Sequence, residues 1–305
     1  MPLDRNRCGG IWAPLVTPFR DDAPDLGLLE RLVNWLLERG VSGFLALGST
    51  AETPHLDEDE ALDVLRCVVG AVARRVPVLV GCGRPSTRAT QRMLERYARE
   101  GADAGLVLMP SYYRTQLRPE SLLAFYHQLA DTSPIPIFVY HIPQVTGMEL
   151  EPDLLVRILT HPNVGGFKDS TTEGGPLQGA LAQTEALGFV GHGGRLVAAL
   201  EAGACGGILA VADVLPEVAV HVHTAYRAGR VDEAREWQSL LQALITAWRG
   251  HGIAGVKAGL RRRGFDCGSP RPPLSPLTAD VENAVALAVD TALERVEAAR
   301  ARSGA

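Results

Sequence analysis

The chain has 305 residues, of which 46% are hydrophobic and 21% are charged, and its formal net charge is −5. This composition is typical of a globular protein rather than a disordered chain, and the lack of a basic stripe argues against nucleic-acid binding. The five cysteines are scattered without a CxxC motif, which indicates neither a disulfide framework nor a zinc site. The N-terminus MPLDRNRCGG has no apolar leader-like run, and no stretch is long enough to span a membrane, so we expect a cytoplasmic protein without membrane association.

Short apolar runs alternate with helical patterns along most of the sequence. Eight of the apolar runs are predicted as strands, at residues 11–17, 43–47, 78–81, 104–109, 135–140, 164–168, 189–191 and 206–210. Amphipathic segments such as LGLLERLVNWLLERG lie between them. Near-continuous apolar strands that alternate with helices predict a parallel sheet, and eight of them predict closure into an α/β (β/α)8 TIM barrel. The alternative is an open doubly wound sheet, but the turns GSTAE and GCGRPSTR lack its dinucleotide fingerprint.

After residue 228 the sequence pattern predicts helices only, with no strands between them. Predicted helices in VDEAREWQSLLQALITAWRG, IAGVKAGLRRRG and ADVENAVALAVDTALERVEAARAR are separated by the proline-rich passage GSPRPPLSP. We therefore predict a barrel domain over residues 1–228 and a C-terminal helical region over residues 229–305, packed on the outside of the barrel. The last helix has apolar residues on more than one face, a pattern compatible with contact to another subunit.

Polar residues at the ends of predicted strands are the candidates for a site, because the active site of a parallel barrel lies at the carboxyl ends of its strands. The sixth strand ends in the stretch VGGFKDST, where Lys168 closes an apolar run. Since side chains alternate along a strand, Lys168 is expected to face the barrel mouth and Asp169 the opposite side. In an apolar cavity a lysine loses its proton more readily and becomes a nucleophile for a ketone. A solvated surface lysine on a turn is the alternative.

Other residues near the strand ends have competing structural explanations. Tyr140 ends the fifth strand, where its phenol could transfer protons or could fill the core with a satisfied hydroxyl. Ser49 and Thr50 follow the second strand, where they could hold a carboxylate or cap the next helix. Lys257, in IAGVKAG, falls in a predicted helix away from any strand end, and we interpret it as structural.

The acids and histidines give little sign of further chemistry. Glu52 starts the helical region after the second strand without other clustered acids, and we assign it no catalytic role. His221 and His223 offer the best metal-ligand spacing, but residues two apart in a helix face apart. We therefore expect no metal ion, and attack by a lysine amine on a ketone needs no other cofactor.

The strand ends together carry an ordered series of motifs, namely GIWAPLVTPF, GSTAE, PSYYR, YHIPQVTG, GFKDS and GHGGRLVAALEAGACGGILAVAD. This series resembles the dihydrodipicolinate synthase and N-acetylneuraminate lyase family of pyruvate-handling class I aldolases. The similarity runs from residue 10 to about residue 213 and is more specific than any single motif. The stretches HPNVGGFKDS, GADAGLVLMPSYYR and DTSPIPIFVYHIP are most similar to 4-hydroxy-2-oxoglutarate aldolases within that family.

The resemblance implies catalytic roles for four residues, Lys168, Tyr140, Ser49 and Tyr113, and a substrate-binding role for Thr50. Lys168 would form the Schiff base, and Tyr140 would transfer protons. Ser49 and Thr50 would hold the carboxylate of the keto acid and complete a hydroxyl relay. Tyr113 would reach the relay of a neighbouring subunit, which implies a homodimer as the catalytic minimum and, by analogy with the family, a homotetramer.

The resemblance also implies three residues that line the substrate. Gly191 would lie against the bound keto acid, and Ile208 would lie against its methylene face. Ser170 would face the second half of the site, where the aldehyde part of the substrate binds.

Three departures from the family pattern narrow the expected substrate. Val145 stands where dihydrodipicolinate synthases have an arginine for the carboxylate of their second substrate. Ala51 replaces a glycine, and Asp213 replaces a usual asparagine. We therefore predict a lyase for two small molecules, a 2-oxo acid and an aldehyde. It would reversibly cleave a 4-hydroxy-2-oxo acid, such as 4-hydroxy-2-oxoglutarate, to pyruvate and an aldehyde.

Alternative functions stay open within the same fold. They are a 4-hydroxy-tetrahydrodipicolinate (dihydrodipicolinate) synthase and an aldolase or dehydratase of 2-keto-3-deoxy sugar acids. From another class, a catalytically silent barrel that binds keto acids is also possible. The retention of both Lys168 and Tyr140 argues against silence.

Overall fold

The computed structural model describes residues 8–303 of the chain. Residues 1–7, on which most of the prediction about a leader depends, lie outside the described residues. Eight parallel strands form a closed barrel in which β1 pairs with both β8 and β2, so the predicted TIM barrel is confirmed. The strands are β1 (Gly10–Pro14), β2 (Gly43–Ala46), β3 (Val78–Gly81), β4 (Ala104–Leu108), β5 (Ile137–His141), β6 (Val164–Asp169), β7 (Leu187–Val190) and β8 (Gly206–Ile208).

Helices follow the strands in the alternating order that the sequence predicts. Those of six residues or more are α1 (Leu26–Leu37), α2 (Glu58–Val72), α3 (Thr87–Arg99), α4 (Pro119–Thr132), α5 (Pro152–Leu159), α6 (Pro176–Leu181), α7 (Leu196–Glu201), α8 (Pro216–Arg227), α9 (Val231–Ala247), α10 (Gly252–Arg262) and α11 (Ala279–Ser303). Two four-residue helical turns, Pro143–Thr146 and Val211–Val214, lie directly after β5 and β8. A short hairpin pairs Phe19–Arg20 with Ala23–Pro24.

Helix α1 illustrates why these segments are helical. Its buried residues recur along one face, which gives the helix an apolar stripe against the barrel. The carboxylate of Asp25 accepts a hydrogen bond from the backbone N–H of Leu28 at 2.9 Å and caps the first turn. Helix α2 begins with a complete capping box, in which Asp57 and Glu60 each accept from the other's backbone N–H.

The interior of the barrel below the mouth is filled by apolar side chains. Trp12 packs against Phe189 with ring centroids 5.4 Å apart, and Phe138 packs on the other side of Phe189. A Cβ atom at Gly43 would lie 2.4 Å from the Trp12 ring, so only glycine leaves room for this tryptophan. Because the lower barrel is filled in this way, the open space for a ligand is restricted to the carboxyl ends of the strands.

The C-terminal helices pack on the outside of the barrel. Helix α9 lies against α8, α10 lies against the turn Val211–Val214, and α11 crosses both α9 and α10. Between α10 and α11 the chain returns to the carboxyl end of β2, where the backbone N–H of Arg271 donates to Glu52 at 2.7 Å. The guanidinium of Arg271 also binds the carboxylate of Glu60 and the carbonyl of His55. In the described part of the chain, no helix combines the length and the apolar character needed to cross a membrane.

Candidate active site

Lys168 and Tyr140 lie side by side at the mouth of the barrel. They occupy level positions on the adjacent strands β6 and β5, and the ammonium of Lys168 lies 4.7 Å from the centre of the Tyr140 ring. Both side chains are buried, with 4% and 6% of their surface exposed. Neither the ammonium nor the phenol hydroxyl has a hydrogen-bond partner within residues 8–303. The structure therefore contradicts the alternatives of a solvated lysine and of a tyrosine whose hydroxyl is satisfied in the core.

The next residue on each strand faces the outer side of the barrel. Nδ1 of His141 lies 3.0 Å from the carboxylate of Asp169, and the backbone N–H of Leu150 donates to Nε2 at 3.2 Å, so Nδ1 is the nitrogen that donates to Asp169. Thr171 donates to the same carboxylate from its backbone N–H and its hydroxyl, both at 3.0 Å. Burial raises the pKa of Asp169, but the hydrogen bonds from His141 and Thr171 outweigh burial and lower it overall. Asp169 is thus bonded away from Lys168, as alternation along the strand predicts.

The sequence pattern did not identify His141 as part of the site. In the structure its side chain is fully buried. Its hydrogen bond to Asp169 joins β5 to β6 immediately behind Tyr140 and Lys168. Side chains alternate between the two faces of a strand, so residues 141 and 169 share one face once the pairing of β5 with β6 is known. The register itself is not visible in the sequence.

Ser49 and Thr50 lie in a short turn, Ser49–Ala51, that follows β2 at the same rim of the barrel. Both are half-buried, and their side chains do not cap this turn. Helix α2 is capped by Asp57 instead. The interpretation of Ser49 and Thr50 as caps of the second helix is therefore wrong, and within the described residues their hydroxyls are available for a ligand.

The rim between β6 and β7 brings Ser170 and Gly191 next to Lys168. A Cβ atom at Gly191 would lie 2.0 Å from Oγ of Ser170 and 3.0 Å from Cε of Lys168, so glycine is required here by close approach. Gln144 donates to the carbonyl of Ser170 at 3.1 Å, which ties the loop after β5 to the end of β6. Ile208, at the end of β8, is fully buried among the same apolar residues of the barrel interior as Tyr140.

Tyr113 is the one predicted catalytic residue that lies apart from this group. It sits on the loop after β4 with 63% of its surface exposed, and its ring packs edge-on against Tyr112 with centroids 4.9 Å apart. It makes no contact with Lys168 or Tyr140 within the described chain. Its predicted role requires a second subunit and stays a prediction.

Lys257 is the only other lysine in the sequence. It lies in α10 as predicted, but its ammonium is not remote from the strand ends, because it lies 2.7 Å from the carboxylate of Glu52, six residues beyond β2. It also donates to the carbonyl of Ser269 at 3.2 Å and lies over the ring of Phe19. Burial lowers the pKa of Lys257, and the bond to Glu52 opposes that shift. An ammonium held by these partners is a poor nucleophile, unlike the unbonded amine of Lys168.

Metal-ligand clusters are not a feature of this site. No group of three or more histidine, cysteine or acidic side chains that could hold a metal ion lies within residues 8–303. His221 is bonded to Glu233 at 2.7 Å and stacks on Trp237, so its surroundings are those of a structural histidine.

Comparison with known proteins defines the class to which this barrel belongs. Residues 7–292 match the model of the dihydrodipicolinate synthetase family. The chain is 34% identical over 277 residues to a probable mitochondrial 4-hydroxy-2-oxoglutarate aldolase of Emericella nidulans, an alignment that covers 88% of this chain and 89% of that protein. It is 32% identical over 302 residues to the L-threo-3-deoxy-hexylosonate aldolase of Hypocrea jecorina, with 93% and 96% covered.

Other relatives extend the range of activities. A 4-hydroxy-tetrahydrodipicolinate synthase of Jannaschia sp. is 32% identical over 297 residues, with 93% of this chain and 97% of that protein covered. The structure of YagE from E. coli K12, a prophage protein of the dihydrodipicolinic acid synthase family in complex with pyruvate, has a TM-score of 0.87 at 26% identity and covers 93% of this chain and 98% of that chain. The chain therefore belongs to the dihydrodipicolinate synthetase family. It is an enzyme of the lyase class that acts on small molecules.

The contribution of the ion pair between Lys257 and Glu52 to stability can be tested by substitution. Lys257→Met should destabilise the protein by about 3–5 kcal/mol, because it leaves the carboxylate of Glu52 buried without a counter-charge. Adding Glu52→Gln to this variant should restore most of the lost stability. Chemical denaturation measures both effects. Wild-type stability in Lys257→Met would show that the ion pair contributes little to the fold.

Proposed function

We propose that this enzyme is a Schiff-base-forming class I aldolase that reversibly cleaves 4-hydroxy-2-oxoglutarate or a similar 4-hydroxy-2-oxo acid to pyruvate and an aldehyde such as glyoxylate. The observation that carries the proposal is the buried amine of Lys168 beside the phenol of Tyr140, neither of which has a hydrogen-bond partner in the part of the chain that the structure describes. An amine without partners in an apolar cavity is a nucleophile, and a phenol at its side is placed to move protons.

The first half of the reaction forms the imine. The Lys168 amine attacks the ketone carbon to give a carbinolamine, and the hydroxyl of Tyr140 supplies the proton with which the oxygen leaves as water. Ser49 and Thr50, which follow β2 on the other side of the barrel mouth, bind the carboxylate next to the ketone. Gly191 leaves room for the keto acid against Lys168, because any side chain at this position would collide with Ser170.

The second half of the reaction breaks a carbon–carbon bond. The protonated imine accepts the electron pair of the bond between C3 and C4, while the phenolate of Tyr140 takes the proton from the C4 hydroxyl. The aldehyde leaves, and the enamine that remains is protonated at C3 and hydrolysed to pyruvate and the free amine. Since the imine itself is the electron sink, this sequence requires no further cofactor.

The second half of the substrate meets an uncharged residue where synthases of the family have an arginine. Val145 lies in the turn Pro143–Thr146 and is 59% exposed. Arg114 packs along Gly147, two residues further on, with its Cδ 3.6 Å from the position of a glycine Cβ. It forms no ion pair within the described chain. We propose that Arg114 and Ser170 hold the distal carboxylate of a dicarboxylic substrate in place of the missing arginine.

Assembly and location follow from the resemblance rather than from this single chain. We propose a homotetramer built as a dimer of dimers, in which the exposed Tyr113 completes the relay of its neighbour. We also propose a cytoplasmic location and a C-terminal helical region that begins at residue 229. The exposed pair Tyr112 and Tyr113 supports the assembly, because adjacent exposed aromatic rings are typical of interfaces.

Reductive trapping tests the imine directly. Borohydride in the presence of pyruvate should add one pyruvate-derived mass to each subunit, and peptide mapping should locate it on Lys168. Lys168→Arg should abolish the addition with the fold unchanged, because arginine retains the charge but offers no free amine. The double variant Lys257→Met with Glu52→Gln, which should retain most of the stability, is the matched control and should still be labelled. Labelling confined to Lys257, or no labelling at all, would falsify the assignment.

Removal of the phenol hydroxyl tests the role of Tyr140. Tyr140→Phe should still be trapped with pyruvate but should have a kcat lower by about 10²–10⁴-fold, because only the proton-transfer group is lost. The matched control is Tyr126→Phe, which loses a buried hydrogen bond to the carbonyl of Val107. That control should lower stability by about 1 kcal/mol and leave kcat unchanged. A normal kcat in Tyr140→Phe would assign Tyr140 to packing.

A substrate panel distinguishes the candidate reactions. Cleavage of 4-hydroxy-2-oxoglutarate should have the highest kcat/KM, and Arg114→Gln should raise KM for this dicarboxylate by about 10-fold or more without affecting uncharged analogues. Condensation of pyruvate with aspartate semialdehyde should be poor, since Val145 cannot bind its carboxylate. Efficient condensation would indicate a synthase. Preference for 2-keto-3-deoxy sugar acids, whose distal half is uncharged, over 4-hydroxy-2-oxoglutarate and over condensation with aspartate semialdehyde would indicate a sugar-acid aldolase or dehydratase.

A further inference from the structure

Glu52 is a buried acid that the reaction described above does not use. It follows directly on the turn Ser49–Ala51, and only 1% of its surface is exposed. Its backbone is left-handed, with a φ of 57° and a ψ of 32°, a conformation that is uncommon for residues other than glycine. A buried charge and a left-handed backbone both cost stability, and strained residues of this kind cluster at functional sites.

The carboxylate of Glu52 is held by two residues from the C-terminal part of the chain. Its Oε1 lies 2.7 Å from the ammonium of Lys257 on α10. Its Oε2 accepts the backbone N–H of Arg271 at 2.7 Å, although Arg271 is 219 residues further along the chain. The acid therefore connects the carboxyl end of β2 to the segments that pack outside the barrel.

The backbone of Arg271 is fixed in turn by its own side chain. The guanidinium binds the carboxylate of Glu60 in the first turn of α2 and the carbonyl of His55. It also lies over the ring of Phe19, 4.3 Å from the ring centre. The N–H that Glu52 accepts is thus a donor anchored to the barrel, and a bond to an anchored donor restricts the movement of Glu52 itself.

Glu52 passes this restraint to the preceding turn through the backbone. Its N–H donates to the carbonyl of Ser49 at 3.2 Å. The buried hydroxyl of Thr17, which follows β1, donates to the carbonyl of Ala51 at 2.7 Å. These bonds engage backbone atoms of the turn and none of them engages the hydroxyls of Ser49 or Thr50, so the turn is held in place without using the groups that face a ligand.

Stability alone does not explain the ion pair between Glu52 and Lys257. Replacement of a buried ion pair by apolar side chains of similar volume is often neutral or stabilising, because burial takes both charges out of water. The ammonium does allow an acid to occupy this position as a bonded, neutralised group. Without it, a substrate carboxylate at Ser49 and Thr50 would meet an uncompensated negative charge on the same short loop.

We propose that Glu52 is a positioning residue, through which Lys257 and Arg271 hold the turn Ser49–Ala51 in the shape that binds the carboxylate of the keto acid. The inference rests on the function proposed above, in which this turn binds that carboxylate. The restraint raises the affinity for the carboxylate and takes no part in the imine chemistry at Lys168. Loss of the restraint should therefore weaken the binding of ketones that carry a carboxylate and spare ketones that carry none.

Two double variants of nearly equal volume test the proposal. Both carry Lys257→Met, one together with Glu52→Gln and the other together with Glu52→Met. Glutamine keeps an oxygen that can accept the N–H of Arg271, whereas methionine does not. Borohydride trapping of the glutamine variant should be half-maximal at a pyruvate concentration within about 3-fold of the wild-type value. The methionine variant should need about 10-fold more pyruvate, with the same extent of trapping at saturation.

Hydroxyacetone, a ketone without a carboxylate, is the matched ligand. Its half-maximal concentration for trapping should be the same in the wild type and in both double variants. Equal shifts for pyruvate and hydroxyacetone in the methionine variant would overturn the proposal, because a general loss of structure weakens both ligands alike. An unshifted pyruvate concentration in that variant would overturn it as well. Absence of trapping in the wild type would instead remove the proposed function, and this inference with it.

Amide exchange in the wild type tests the same restraint without any substitution, and thus without dependence on how a variant folds. Because coupling between two sites is reciprocal, a carboxylate that binds the turn should stabilise the bond from Arg271 to Glu52. Hydrogen–deuterium exchange at the Arg271 N–H should slow by about 3-fold or more with saturating pyruvate but not with hydroxyacetone. Exchange that pyruvate leaves unchanged would overturn the proposal.

Discussion

The site depends on the register between β5 and β6, which sets Tyr140 level with Lys168 and His141 level with Asp169. Because side chains alternate along a strand, this register places Tyr140 and Lys168 on the inner face of the barrel and the next residue of each strand on the outer face. The inner pair is buried and has no hydrogen-bond partner among residues 8–303, whereas the outer two side chains are hydrogen-bonded to each other. A shift of one residue would exchange these faces and place the acid in the mouth beside the phenol. The outer bond between His141 and Asp169 therefore supports the register that keeps the amine unbonded.

Several ionisable groups are buried near the carboxyl ends of the strands, among them Lys168, Asp213, Glu52 and Lys257. Within residues 8–303, neither Lys168 nor the carboxyl group of Asp213 has a hydrogen-bond partner, whereas Glu52 and Lys257 form a direct ion pair. These four groups are two acids and two bases, so their formal charges cancel. The difference lies in bonding, since the ion pair satisfies its members and leaves them inert. The amine of Lys168, which has no such partner among the described residues, is the group to which we assign the imine chemistry.

The C-terminal helices contribute to the site although they carry no residue that lies in the mouth. Lys257 on α10 neutralises Glu52, and the segment after α10 brings the backbone of Arg271 to the same carboxylate. These contacts fix the loop that begins with Ser49 and Thr50. Lys168 and Tyr140 lie on strands, whereas Val145 and Arg114 lie in short turns after β5 and β4. Family membership defines a lyase, and we assign the choice of distal substrate to Val145 and Arg114 as a proposal.

The sequence by itself determined the barrel and the ends of most strands, because apolar runs of strand length that alternate with amphipathic helices have few other solutions. It also determined that Lys168, Tyr140, Ser49 and Thr50 meet at one rim, since parallel strands bring their carboxyl ends together. Only the tertiary structure decided that Lys257 reaches Glu52 and that His141 bonds to Asp169. Those contacts join residues distant in the chain, and their geometry depends on strand register and helix packing. It also decided which buried polar groups have hydrogen-bond partners. Those partners depend on how the whole chain packs, and no repeating pattern in the sequence predicts them.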